Sequence, residues 1–226
     1  MTATANPSPA GGPATRQIAE HITTHLGPID HVLRDAEPAD GLHIDLYVIQ
    51  PTAQFREIRI ITAGMSDLPM TVADGVNAPR YAELMISLPA DWKLDEAARQ
   101  DPAWAWPLAQ LKHAARMPHL NKIALGWGHT LTNGQPPKPL APGTQQCGAI
   151  LLAPEGVPED FGKLIIDADR IIHFYSLIPL YREEIELKVA IGAMLLLKRF
   201  EKHGITECID PQRVNVAARK WYQFWR

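Results

Sequence analysis

Between Thr15 and Leu26 the apolar Ile18, Ile22 and Leu26 recur at every fourth position behind a threonine able to cap, and Gly27-Pro28 stops the pattern. That spacing predicts a helix over 15–26. The period then shortens to two. Leu42 to Ile49 alternates apolar and polar residues before Pro51, and Ile58 to Thr62 follows after a short loop, which predicts two adjacent antiparallel strands. Tyr81 to Leu88 predicts a third strand, with Glu83 set between apolar neighbours. Leu108, Leu111 and Ala115 predict a helix from Trp104 to Met117, ended by Pro118.

Ile123 to Trp127 returns to an extended pattern, and Thr132-Asn133-Gly134 reads as a turn. Pro136, Pro137, Pro139 and Pro142 make the stretch from Gly134 to Gly143 a long exposed loop outside any sheet. Ala149 to Leu152 predicts a buried strand and Ile171 to Tyr175 another, on either side of the amphiphilic stretch from Phe161 to Asp169. The strongest element is Arg182 to His203. Ile185, Val189, Ala193, Leu196 and Phe200 form one stripe there, widened by Leu187, Ile191 and Leu195, with acids in the first turn, bases in the last and Gly204 beyond. The expectation is one continuous helix laid on a sheet face, with Val189 and Leu196 buried.

These elements amount to an α/β fold: a mixed, largely antiparallel sheet flanked by helices in a single domain over 15–226, with no repeat and no internal linker. Residues 1–14 carry three Pro, two Gly and no charge, and are expected to form a disordered tail.

Composition narrows the function. The chain has 226 residues and a net charge of −3, so it lacks the basic field that draws proteins to nucleic acid. Its two cysteines, Cys147 and Cys208, support neither a disulfide framework nor a paired-thiolate metal site. The longest apolar run, Ala190 to Leu197, is far short of the roughly 20 residues that cross a bilayer. A cytoplasmic protein with no membrane or nucleic-acid partner is expected.

Candidate chemistry is sparse. His21 and His25 share a helix face as a metal pair would, yet no third ligand stands at a usable spacing, and a solvated face is the preferred reading. His43 and Asp45 alternate onto one strand face, and Ser66-Asp67 nearby offers a nucleophile, so a hydrolase using His43, Asp45 and Ser66 is the alternative function. The preferred reading makes Gly64-Met65-Ser66-Asp67 a structural turn, with Gly64 supplying unusual backbone angles and Ser66 and Asp67 satisfying nearby backbone donors. Cys147 with His173 is a weaker thiol–base pair. No phosphate loop, dinucleotide turn or nucleophile elbow is present, so no cofactor, no metal and no catalytic residue is assigned. Most of the six tryptophans belong to the core, with Trp221 and Trp225 the expected exceptions.

Several segments together resemble the suppressor of fused domain family. They are His43 to Ile49 with Pro51-Thr52, Thr62 to Met70, Tyr81 to Ile86 with Leu88-Pro89 and Trp92, Gly126 to Thr130, Gly148 to Leu152, and His173 to Tyr175 with Ile178 to Glu184. All six are collinear, and coverage runs from about Asp30 to Phe200. The resemblance is to a bacterial, single-domain member. It implies an α/β sandwich that is not an enzyme and binds protein. Eukaryotic members hold a transcription factor by adding its peptide as a β-strand in a cleft that a second domain closes, and bacterial members are read as immunity proteins that neutralise a cognate toxin. On this basis Leu151, Leu152 and Glu155 are the expected protein-binding residues, at a strand edge or cleft beside the loop from Gly134 to Gly143.

Overall fold

The computed structural model describes residues 14–36 and 41–218. Helix α1 (Thr15–Leu26) begins where expected, and Ala14 is already fully buried at its entry. The rest of the expected tail, and Trp221 and Trp225, lie outside the described residues. Strands β1 (His31–Leu33), β2 (Asp45–Ile49), β3 (Ile58–Ala63) and β4 (Tyr81–Leu88) form an antiparallel meander. Helix α2 (Pro102–Asn121) follows, then β5 (Thr130–Thr132), β6 (Gly148–Leu152), β7 (Lys163–Ile165) and β8 (Ile171–Leu180), and finally helices α3 (Arg182–Ile191) and α4 (Ala193–His203).

All eight strands join one mixed sheet in the order β1-β2-β3-β4-β8-β6-β5, with β7 also paired to β8. Only the β4–β8 pairing is parallel. One sheet face, carrying Leu46, Val48, Ile60, Leu84 and Leu151, packs beneath Trp106, Leu111, Ala114 and Ala115 of α2. The opposite face is divided. Tyr47, Ile61, Met85 and Phe174 pack against Ile18, Ile22 and Leu26 of α1, whereas Ile150, Leu152, Ile178 and Leu180 pack against Ile185, Leu196 and Phe200 of α3 and α4. These are the alternations that period-two strands impose when both faces are covered.

The segment after α4 closes the divide. Pairing of β4 with β8 stops at Met85–Ser176, and beyond that point Cys208 bridges to Ser87 while the Ile209 amide donates to the Ser87 carbonyl at 2.8 Å. Glu207 is thereby buried and accepts from Ser176 Oγ at 2.6 Å, Ser87 Oγ at 3.2 Å and the Glu155 amide at 2.9 Å. Burial pushes its carboxyl above the usual range, against the pull of those donors and of Arg59.

Three expectations are corrected. The continuous helix over 182–203 is two helices, because Gly192 takes φ 89° and ψ 162°, outside helical space. The change of direction seats Leu196 and Phe200 in the core and turns Val189 to solvent at 72% exposure. Pro118 does not end α2. It stands in the last turn, where the helix continues to Asn121 and closes on a left-handed Lys122, whose amide donates back to the Pro118 carbonyl. Ile123 to Trp127 joins no ladder, since the Leu125 amide donates to Met70 Sδ and the Gly126 amide to His129 Nδ1. The strand of this region is β5, a few residues later.

Candidate functional site

β5 closes the sheet at the end opposite β1. Its inner side is fixed by the ladder to β6 and by two flanking bonds, Leu151 N–H to the His129 carbonyl at 2.9 Å and Asn133 N–H to the Cys147 carbonyl at 2.8 Å. With 129 and 133 bonding inward, antiparallel alternation puts Leu131 inward as well and turns the main chain of Thr130 and Thr132 outward. The local turn uses one outward group, since Gly134 N–H donates to the Thr132 carbonyl at 3.1 Å. The amides of Thr130 and Thr132 and the Thr130 carbonyl face the outer edge, where no further strand lies among the described residues.

Gly148 is what allows β5 to lie so close. A Cβ built there falls 2.3 Å from the Leu131 carbonyl oxygen and 2.8 Å from the Ile185 side chain, inside contact distance for any other residue. After β5 the proline-rich loop folds back as a clasp: Asn133 Nδ2 donates to the Lys138 and Pro139 carbonyls at 3.0 and 2.9 Å, and Leu140 N–H to the Gln146 carbonyl at 2.8 Å. Two cavities run along the edge. One of about 330 Å³ lies between Trp106, Gln110, His113, Asn133 and Leu140. The other, about 550 Å³, lies between His113, Met117, Leu125, Thr130, Leu131 and Lys188. His113 lines both, so they adjoin between α2 and the β5 edge, and Lys188 is the one formally charged residue among their described linings.

The expected binding residues stand one strand further in. Leu151 and Leu152 lie on β6, flanked by β5 and β8, with both side chains buried. Glu155, just beyond, is exposed, and its amide donates to Glu207. A larger cavity of about 790 Å³ opens on the far side of β6, lined by His21, His25, Trp127, Pro154, His173 and Phe174. It marks a notch in the sheet: on this edge of β8, β7 pairs as far as His173 and β6 resumes at Ser176, so among the described residues Phe174 and Tyr175 pair only on their other edge, with Glu83 and Leu84 of β4.

His21 and His25 line this notch with ring centroids 4.3 Å apart, and each is held by a carbonyl, His21 Nε2 at 3.0 Å from Phe161 O and His25 Nδ1 at 2.8 Å from His21 O. Burial pulls the His21 pKa down. Among the described residues no group of three His, Cys, Asp or Glu is placed to hold a metal ion. Cys147 and His173 are not brought together, since Cys147 lines a separate cavity beside Tyr181 and burial raises its thiol pKa.

His43 and Asp45 do meet, Nε2 to Oδ1 at 2.9 Å, but Asp45 is shared with Arg34 Nη1 at 2.5 Å and the Asp35 amide at 2.9 Å. Ser66 belongs to a different group. Its hydroxyl donates to Glu83 Oε1 at 2.7 Å, beside the Gly64 and Ser66 amides at 3.0 Å each, while Thr62 Oγ1 donates to Oε2 at 2.5 Å. The expected turn is present with the donor role reversed, since Ser66 gives its protons to a buried carboxylate. Gly64 holds φ 122°, and a Cβ there would fall 1.9 Å from the His43 carbonyl oxygen. Glu83 is fully buried, which pushes its carboxyl up to about 7 against four hydrogen bonds that lower it. The signal that identifies Glu83 is in the sequence: a lone carboxylate inside an apolar strand needs internal partners.

Comparison with known proteins accords with this architecture. The chain matches a homolog of suppressor of fused from Neisseria gonorrhoeae at 12% identity and a TM-score of 0.63, over 91% of this chain and 98% of that one. A chain of the Sufu-Fu complex matches at 15% identity and 0.62, over 94% of both. Drosophila Suppressor of Fused matches at 13% identity and 0.60, over 98% of this chain and 55% of that one. At such identities these likenesses establish the fold. No curated protein matches the chain. The sequence profile described as Suppressor of fused protein (SUFU) matches residues 40–214, and the chain therefore belongs to the suppressor of fused family.

Proposed function

We propose that this protein is a non-enzymatic binding module that takes an extended segment of a partner protein along the outer edge of β5. One observation carries the reading: β5 ends the sheet with outward main-chain groups on Thr130 and Thr132, and two adjoining cavities beside α2 accompany them. A strand added there completes the ladder, and the two cavities receive alternate side chains. Lys188 favours a segment with acidic character. The notch beside β6 is the poorer candidate for such a strand, since only two residues of β8 lack a partner there. The solved complex of Sufu with Fu supports a protein partner. The narrower reading, an immunity protein that neutralises a toxin, is what the resemblance to bacterial family members implies.

The test is isothermal titration of the purified protein against the product of a toxin-like gene adjacent to its own. The expected result is saturable binding that Thr130→Pro abolishes, because proline removes an outward amide and leaves the inner ladder intact. Shortening of the loop from Gly134 to Gly143 weakens binding, and Glu155→Lys leaves it unchanged. Undiminished affinity of Thr130→Pro overturns the edge as the site. Absence of binding to any adjacent gene product overturns the immunity reading.

A further inference from the structure

The helical hairpin of α3 and α4 presents large apolar side chains to solvent on both sides of Gly192. Ile191 is 50% exposed, Met194 61% and Leu195 39%, joined by Val189. The apolar stripe of α4 is wider than its core contact: Leu196 and Phe200 are buried, Ala193 and Leu197 pack against them in part, and Met194 and Leu195 lie outside that cluster. Charge is segregated on the same hairpin. From Ala190 to His203 the sequence carries Lys198, Arg199 and Lys202 against Glu201 alone, in a chain whose net charge is −3. Further back on α3, Glu186 is paired with Arg182 Nε at 3.2 Å. Behind the hairpin Val216 packs on α4, with its carbonyl accepting from Arg199 Nη1 at 3.0 Å.

We propose that the exposed face of α3 and α4, around Ile191, Met194 and Leu195, is a peripheral docking surface for an anionic lipid bilayer. Exposed aliphatic side chains rimmed by lysine match the chemistry of a headgroup boundary, where apolar groups enter the interface and cations meet lipid phosphates. A nucleic-acid partner uses the bases but gains nothing from Val189, Ile191, Met194 and Leu195. No helix among the described residues is long and apolar enough to cross a membrane, so the attachment is to one surface and reversible. This surface is separate from the β5 edge, and its test is independent of that reading.

The experiment is co-sedimentation of the full chain with vesicles of phosphatidylcholine alone, and with vesicles containing about 30% phosphatidylglycerol, at low and high salt. Pelleting with the anionic vesicles only, weakened by salt, is expected. Met194→Gln with Leu195→Gln, and separately Lys198→Gln with Lys202→Gln, alter side chains on the exposed face, so the fold is retained with at most a small fall in melting temperature while vesicle affinity falls roughly tenfold or more. No pelleting with anionic vesicles, equal pelleting with neutral ones, or wild-type affinity in both variants overturns the proposal. So does a dimer in sedimentation velocity without vesicles that Met194→Gln with Leu195→Gln dissolves, because the face then belongs to a second copy.

Discussion

Arg213 grips Glu184 with two parallel hydrogen bonds, Nη1 to Oε1 at 2.7 Å and Nη2 to Oε2 at 2.6 Å, at a place from which water is excluded. Glu184 also accepts from the amides of Tyr181 and Val216 at 3.0 Å each, and Arg213 reaches the Pro179 carbonyl at 2.7 Å. The guanidinium lies 5.0 and 5.1 Å from the Tyr181 and Phe200 rings. One ion pair thus ties the end of β8, the start of α3 and the segment after α4. Arg213→Ala leaves the carboxylate buried without its cation and is expected to destabilise the fold by about 3 to 5 kcal/mol in urea unfolding. Glu184→Ala with Arg213→Ala costs less than the sum of the single changes. Additive effects would mean that the pair contributes no coupling.

Glu83 sets a pH dependence with a definite sign. Its folded pKa of about 7 stands above the ordinary carboxylate value of 4.5, so the folded state binds the proton more tightly. Stability from this group is present in full below 4.5 and is lost as pH rises through 7, by up to about 3 kcal/mol. Glu83→Gln removes that loss. The stability of the variant relative to wild type is expected to rise between pH 4.5 and 7 and then level off, and a flat difference across that range refutes the assignment.

The three residues of the hydrolase alternative are not joined in one relay, and Glu83 is the reason. The Ser66 hydroxyl proton is directed to Glu83, and His43 is engaged with the Asp45 cluster. Ser66→Ala together with His43→Ala is therefore expected to leave any trace hydrolytic activity of the purified protein unchanged while lowering its melting temperature. Loss of such activity with the fold intact would restore catalysis.

The two C-terminal helices separate what sequence pattern shows from what it hides. Leu196→Ala is expected to cost about 2 to 5 kcal/mol by opening a cavity among Ile150, Leu180 and Phe200, whereas Val189→Ala changes stability by less than about 0.5 kcal/mol. Both residues fall on one helical stripe in the sequence, and only the backbone angles of Gly192 divide them. Isolated glycine inside a helical period is tolerated or breaks the helix according to tertiary context, so the stripe alone cannot decide. Elements with a strong local period were legible: α1, the β2–β3 hairpin, β4 and β6. The site was less so. Leu151, Leu152 and Glu155 were expected at a strand edge or a cleft; which strand lies outside β6 was hidden, because β5, three residues long, carries too little period to be recognised. Glu184–Arg213 and Glu207 were invisible because their partners lie 29 or more positions away.

Gly148 links the fold to the candidate site through one missing atom. Its Cβ position is 2.3 Å from the Leu131 carbonyl oxygen, which is backbone and has no rotamer to yield. Gly148→Ala must therefore push β5 outward or twist it off β6, disturbing the ladder at Thr132–Gly148 and Leu131–Ala149. The β4–β8 centre of the sheet does not depend on that contact, so the protein is expected to remain folded with a loss of about 1 to 3 kcal/mol. Amide exchange should accelerate selectively at Leu131 and Asn133, the two inward donors around β5, while β4 and β8 keep their protection. Partner binding along the edge falls with it, because Thr130 and Thr132 no longer present their outward groups in register. A variant with wild-type exchange at Leu131 and Asn133 would show that β5 accommodates the methyl group and that its closeness to β6 is not what holds the edge in place.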